Sequence, residues 1–405
     1  MPEQVYLDWN ATAPLRPEAR AAMAAALDVT GNPSSVHGAG RTARRLVEDA
    51  RGQVAALAGV LAGDVVFLSG GTEGNMLALS PALGDSLLVS AIEHPSVRCG
   101  GRFASVDEVP VTAAGTVDIE ALQGRLAGRS RPLVSVMLAS NETGAIQPVA
   151  RVADIVHAAG GLLHVDAVQG PGRIACDFGA LGADLMTLSA HKLGGPQGVG
   201  ALIKRADISF EPLIRGGGQE RGMRAGTENV AGIAGFGAAA KAAHENLATE
   251  AERMTGLRNR LETGLRVVAT ETVIFSEAVS RLPNTTLFAI PGMKAETAVI
   301  AFDLEGVAVS SGSACSSGKV TPSHVLAAMG VAPDLARGAI RVSLGRTTSE
   351  ADIEAFLKAW AKLAENLYKA KKQQDIAASG GPTKGEPAAP AATTITDNQS
   401  HGLEP

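Results

Sequence analysis

A lysine at the end of one apolar strand, an aspartate at the end of another and a glycine-rich turn after a third are the residues best placed for chemistry. Lys192 stands in LMTLSAHKLGGPQGVG (185–200), where a strand pattern runs into Ser-Ala-His-Lys and a Gly-Pro turn. Strand carboxyl ends are where open parallel sheets bind ligands. Asp166 closes LLHVD in LLHVDAVQG (162–170), and Gln169 follows three residues later. Burying an aspartate in an apolar strand is costly unless a cation pairs with it; alone, it reads equally well as a helix N-cap. A pyridinium nitrogen is such a cation. Pyridoxal phosphate (PLP) enzymes use a lysine Schiff base together with an acidic partner for that nitrogen. The 26 residues from Asp166 to Lys192 equal one strand–helix–strand step, which lets both reach one ring. FLSGGTEGN (67–75) reads as strand, Gly-rich turn and helix start, leaving the N–H groups of Gly71 and Thr72 for an anion. It is neither a Walker loop nor G-x-G-x-x-G, so its weight comes from Lys192 and Asp166. His94, in SAIEHPSV (90–97), follows another strand end and is placed to lie over a ring.

Two further residues complete the set. Cys315 sits in SSGSACSSGKV (310–320) among Ser and Gly, the setting of an exposed, reactive thiol rather than a buried structural one. Arg341, at a strand start in IRVSLGR (340–346), offers a guanidinium that can clamp a carboxylate. Cys99 and Cys176 read as inert thiols.

The elements that must position these residues alternate. Apolar runs at 65–68, 87–91, 132–138, 162–166, 185–189 and 199–203 predict strands buried on both faces, hence a mainly parallel sheet. Between them lie helical stretches such as 41–58, with Leu46, Val47, Ala50, Val54 and Leu57 on one face. A long helix is expected over 228–266, broken near Ala248. From about residue 270, strands at 272–275, 285–290, 307–310 and 340–344 alternate with helices at 294–304 and 322–329, which predicts a smaller α+β unit with an antiparallel sheet. A last helix starts with Ser349 as N-cap and Asp352 at N3, and carries a stripe of Ile353, Phe356, Leu357, Trp360, Leu363 and Leu367. The division expected is an N-terminal segment (1–15), a large domain (16–260), a small one (261–372) and a disordered Ala/Pro-rich tail (373–405).

Composition narrows the function classes. In 405 residues, 36 Lys and Arg face 41 Asp and Glu, a net charge of −5 that argues against a nucleic-acid partner. Three cysteines cannot build a disulfide framework, which fits a reducing compartment. No run of about 18 apolar residues appears, and MPEQVYLDWN lacks a signal-peptide pattern. The expectation is a cytoplasmic protein with no membrane partner.

Together these residues carry a resemblance. The sequence resembles the class I cysteine desulfurases of the NifS/IscS type, within the fold-type I PLP-dependent enzymes. The matching stretches are YLDWNATAP (6–14), NPSSVHGAGR (32–41), SGGTEGN (69–75), EHPSV (93–97), NETGAIQPV (141–149), HVDAVQ (164–169), SAHKLGGPQGVG (189–200), GGGQERGMRAGTENV (216–230), SSGSACSSG (310–318) and IRVSLGR (340–346), over roughly residues 5–350. Trp9 stands where the family often has Tyr.

The resemblance implies an α/β fold: a large domain with a mainly parallel seven-stranded sheet, plus a smaller α+β C-terminal domain. It implies PLP as cofactor in a Schiff base with Lys192, Asp166 as partner of the ring nitrogen, and His94 stacked on the ring and handling protons. Gln169 would donate to the cofactor's phenolic oxygen, with Asn141 beside it and the substrate. Gly71, Thr72, Ser189 and His191 would hold the phosphate, joined by Thr227 from the other subunit of a homodimer. Arg341 would bind the carboxylate of L-cysteine, supported by Asn32. Cys315 would take the sulfur as a persulfide, leave alanine, and pass the sulfur to an acceptor or iron–sulfur scaffold protein. No resident metal is implied, Cys315 being open only to a transient iron–sulfur contact on a scaffold. Selenocysteine lyase and aminotransferase are the alternatives on this fold. A PLP-free scaffold protein is the alternative from another class, and Lys192, Asp166 and Gln169 speak against it.

Overall fold

The computed structural model describes residues 4–312 and 323–378. A two-residue strand, β1 (Val5–Tyr6), precedes seven strands that form one sheet: β2 (Val65–Leu68), β3 (Ser86–Ser90), β4 (Asp107–Val109), β5 (Pro132–Met137), β6 (Leu162–Asp166), β7 (Leu185–Ser189) and β8 (Gly200–Lys204). Their order is β2-β8-β7-β6-β5-β3-β4, and only β8 runs against its neighbours. The strands carry continuous apolar side chains because helices cover both faces of the sheet; Val65, Val66, Val134, Val136, Leu163, Val165, Met186 and Leu188 are wholly buried. The predicted parallel sheet is therefore present, and its edge strand β4 is the element the apolar pattern did not announce.

Helix Gly38–Ala58 packs Val47, Ala50, Val54 and Leu57 into this core, while Leu46 is half-buried. The expected long helix is two helices, Val230–Glu245 and Leu247–Val268, that part at Asn246, whose side-chain amide donates to the carbonyl of Ala242 at 2.8 Å.

The chain then forms β9 (Val273–Ile274), β10 (Thr285–Ala289), β11 (Val307–Ala308), β12 (Ser310–Ser311) and β13 (Ile340–Ser343). Four of these make an antiparallel sheet in the order β12-β13-β10-β9, and β11 pairs instead with β1 in parallel. The run 307–310 thus divides between two sheets at Val309. Helix Glu350–Ala378 covers the antiparallel sheet, continuing past Lys372. Ser349 and Asp352 cap it reciprocally: Ser349 N–H donates to the Asp352 carboxylate at 2.8 Å and Asp352 N–H donates to Ser349 Oγ at 3.3 Å. Its stripe builds an aromatic core, with Trp360 edge-on to Phe288 at 5.1 Å and Phe356 stacked on Phe302 at 5.0 Å. Residues 379–405, most of the expected tail, lie outside the described residues.

A buried ion pair fixes the start of the large sheet. Arg51 donates to both carboxylate oxygens of Glu220 at 2.6 and 2.8 Å, and Phe67 N–H donates to the same carboxylate at 2.9 Å. The two side chains are 5% and 3% exposed. Removing Glu220 leaves the buried Arg51 with only the half-exposed carboxylate of Glu48 at 3.2 Å as its counter-charge, so Glu220→Gln should destabilise the fold by about 3 kcal/mol. Denaturant unfolding measures it, and a loss below about 1 kcal/mol would show that water reaches and screens the pair.

Candidate active site

The carboxyl edge of the large sheet opens on a cavity of about 330 Å³, a size suited to a small-molecule ligand. It is lined by Gly71, Thr72, His94, Asn141, Asp166, Gln169, Ser189, His191, Lys192 and Arg341, so ten residues singled out in the sequence share one space. They arrive there because the parallel neighbours β3, β5, β6 and β7 end at one edge, while β13 brings Arg341 from the antiparallel sheet.

Lys192 closes a short 3-10 turn after β7 (Ala190–Lys192) and donates through Nζ to the carbonyls of Asn10 and Ala11, both at 2.7 Å. Asp166 ends β6; its carboxylate accepts from Asn75 Nδ2 at 2.8 Å and from Val168 N–H at 3.1 Å. Asn75 also donates to Ser96 Oγ at 2.9 Å, which ties the Gly71–Ala78 helix to the His94 turn. His94 caps the Pro95–Arg98 turn, its Nδ1 accepting from Ser96 N–H at 3.1 Å, so in the neutral ring Nε2 carries the hydrogen. Burial lowers the His94 pKa; Asp166 opposes and Lys192 reinforces the shift. Burial and the Lys192 charge bring His191 down to about 4. Both shifts favour the neutral imidazole.

Gln169 donates through Nε2 to the Asn10 carbonyl at 3.1 Å and accepts at Oε1 from Arg173. Arg341 is 2% exposed; it donates to Asp8 at 2.7 Å and to the Asn141 carbonyl at 3.1 Å, while its Nε is buried without a partner. The Gly71–Ala78 helix approaches the sheet closely because its small residues allow it: a Cβ on Gly74 would lie 2.8 Å from Thr187, and one on Gly71 would lie 3.0 Å from Val168. Its first N–H groups have no acceptor within the helix and point an anion-binding end at the cavity.

Asn32 and Thr227 do not line this cavity. Both are exposed, and Asn32 Oδ1 accepts locally from Ser34 N–H at 2.9 Å. Cys315 lies outside the described residues. Cys176 is buried, with its thiol pushed up to about 12 by burial, and Cys99 is exposed. Among the described residues no group of three or more His, Cys, Asp or Glu side chains could hold a metal ion, and no helix is long and apolar enough to cross a membrane.

Sequence reasoning missed Asn10, Asn75, Ser96 and Arg173, which hold the lining residues rather than react. It also missed Glu93, whose buried carboxyl accepts from Met137 N–H at 2.7 Å and is pushed up to about 8 by burial. Glu142 is likewise buried, accepting from Ser323 Oγ, with burial raising it to about 7.

The family model for class-V aminotransferases matches residues 5–356. The chain belongs to the class-V aminotransferase family. A relative from Cereibacter sphaeroides named cysteine desulfurase is 42% identical over 90% of this chain and 97% of its own. The structure of a NifS-like protein from Rickettsia africae superposes with a TM-score of 0.83 at 38% identity, over 90% of this chain and 99% of that one. A structure described as SspA in complex with cysteine superposes with a TM-score of 0.72 at 28% identity, covering 84% and 98%. Curated relatives at 38–42% identity over about nine-tenths of the chain are named cysteine desulfurase.

Class-V aminotransferases are PLP-dependent, and the donor set here fits that cofactor. It comprises an amine on Lys192, a buried carboxylate on Asp166, an anion-binding helix start at Gly71 and Thr72, and a neutral imidazole on His94.

Proposed function

We propose that this chain is a PLP-dependent cysteine desulfurase that takes sulfur from L-cysteine onto Cys315 and releases L-alanine. The reading is carried by the convergence of Lys192, Asp166 and Arg341 on one cavity at the sheet's carboxyl edge. Lys192 would hold the cofactor covalently through its amine. Asp166 would pair with the ring nitrogen, His94 would lie on the ring, and Gln169 would donate to the phenolic oxygen. Gly71, Thr72, Ser189 and His191 would hold the phosphate. When bound, the cofactor supplies an electron sink for carbanion chemistry at the substrate's α-carbon.

The chain's own residues do the rest. Arg341 binds the substrate carboxylate, with Asn141 beside it. With Nδ1 accepting from Ser96 N–H, the neutral ring of His94 offers Nε2–H to the substrate as a hydrogen-bond donor, and it takes up a proton only at Nδ1, by giving up that contact. Cys315 acts as a thiolate: the C–S bond of cysteine breaks, an S–S bond forms on Cys315, and the carbon takes a proton to become alanine. A disulfide-level sulfur is thereby made without an external oxidant.

We assign a homodimer, with Thr227 reaching the other copy's phosphate site, and a sulfur acceptor or iron–sulfur scaffold as the protein partner. Residues 16–260 and 261–372 are proposed as the two domains, and the cytoplasm as the compartment. Purified protein mixed with PLP should develop visible absorbance, and added L-cysteine should yield alanine and Cys315 persulfide in equal amounts in the first turnover. Protein that stays colourless after PLP is added would sink the assignment.

A further inference from the structure

The main chain and side chain of Asn10 lie between the two cations of the cavity. Lys192 Nζ donates to the Asn10 carbonyl at 2.7 Å. Asn10 Nδ2 donates to the Asn141 carbonyl at 3.1 Å, and Arg341 donates to that same carbonyl at 3.1 Å. Lys192 comes from the end of the parallel sheet and Arg341 from the antiparallel one, and this chain of three contacts joins them.

The remaining contacts of Asn10 hold it rigid. Its N–H donates to Ser343 Oγ at 3.0 Å, its Nδ2 also donates to Thr285 Oγ1 at 3.0 Å, and its Oδ1 accepts from Asn284 at 3.2 Å. Asn10 is 1% exposed. The adjacent Trp9 is locked by close contact: a Cβ on Gly345 would fall 1.9 Å from the indole, so only glycine admits that ring.

We propose that Asn10 is a positioning residue that sets the separation of Lys192 from Arg341, and through it the site's selectivity for α-amino acids. An α-amino acid presents its amine and its carboxylate at a fixed spacing, so a site that takes both must hold the position of Lys192, where the amine reacts, and the Arg341 guanidinium, which binds the carboxylate, at the matching distance. A misplacement of about 1 Å can cost on the order of 100-fold in such a site. The inference rests on the reading that the substrate amine reacts where Lys192 lies and its carboxylate binds Arg341.

The test compares L-cysteine with cysteamine, which has the amine and thiol but no carboxylate, by titrating the absorbance of PLP-loaded protein. Asn10→Ala should bind PLP within about threefold of wild type, weaken L-cysteine binding at least about tenfold, and change the cysteamine response less than about twofold. Asn10→Asp keeps the shape and the Asn284 contact but replaces the donor to Asn141 by an acceptor, so it should show the same selective loss if the alanine variant folds poorly. Thr286→Ala removes a buried bond to Glu262 on the strand that carries Thr285 but touches neither Asn10 nor the cavity, and should keep the wild-type ratio of the two ligands. An unchanged ratio in Asn10→Ala and Asn10→Asp, or an equal loss in Thr286→Ala, makes Asn10 merely structural and overturns the inference alone. A wild type that develops no absorbance with PLP overturns the functional reading and the inference together.

Discussion

Lys192→Ala is expected to leave a folded protein that forms no alanine from L-cysteine and shows no absorbance of lysine-bound PLP. Lys192 is the one lysine among the described residues lining the cavity, so no second amine stands where the cofactor would be held. Losing the group that carries the covalent step should lower turnover on the order of 10⁴-fold or more, as for other residues that act at the reacting centre. The fold should tolerate the change, because the carbonyls of Asn10 and Ala11 that accept from Nζ line a cavity large enough for water to replace it. Far-UV circular dichroism checks the fold, and alanine assay checks the chemistry. Alanine formation at even a tenth of the wild-type rate would remove Lys192 from the mechanism.

Cys315→Ser separates cofactor chemistry from sulfur transfer. The serine hydroxyl has the thiol's position but is not ionised near neutral pH, whereas a thiol with pKa ≈ 8.5 or lower has an appreciable thiolate fraction. Everything assigned to holding cofactor and substrate lies elsewhere, on Lys192, Asp166, His94 and Arg341. The variant should therefore still show a spectral change with L-cysteine, while alanine release falls by about 10³-fold or more and mass spectrometry finds no persulfide. Cys176→Ser and Cys99→Ser should turn over like wild type, since the first thiol is buried and held far from ionisation and neither lines the cavity. A persulfide mapping to either of these cysteines would reject the mechanism.

Most of what could be read in advance comes from burial. Strands β2, β3, β5, β6, β7 and β8 match their apolar runs to within about one residue, because a strand covered on both faces leaves no polar position to blur its ends. Asp107-Glu108-Val109 escaped because β4 is a three-residue edge strand with charged side chains facing water. The reversed direction of β8 escaped for a different reason: hydrophobicity specifies which faces are buried and says nothing of direction. Lys192 and Asp166 were legible because a charged residue ending an apolar strand conflicts with its surroundings. Asn10 was not, since its weight lies in a main-chain carbonyl and in partners such as Asn284 and Ser343 that no spacing rule links to it. The stretch YLDWNATAP signalled that this segment matters without showing which atom acts.

The bond from Asn10 to Ser343 also has a consequence for how the protein is made. Its two ends are 333 residues apart, so synthesis at ~5–20 residues per second leaves the N-terminal segment without its partner for roughly 15 s to 1 min. Strands of the parallel sheet from β3 to β7 can pair as they leave the ribosome, but β2 waits for β8 and Asn10 waits for β13. The nascent chain therefore exposes an unpaired apolar β2 for about a third of its synthesis and leaves Asn10 without its β13 anchor for most of it, the condition in which chaperone binding competes with misfolding. A chain terminated before β13 lacks both Arg341 and the anchor for Asn10, so an incomplete product carries much of the sheet but no finished cavity.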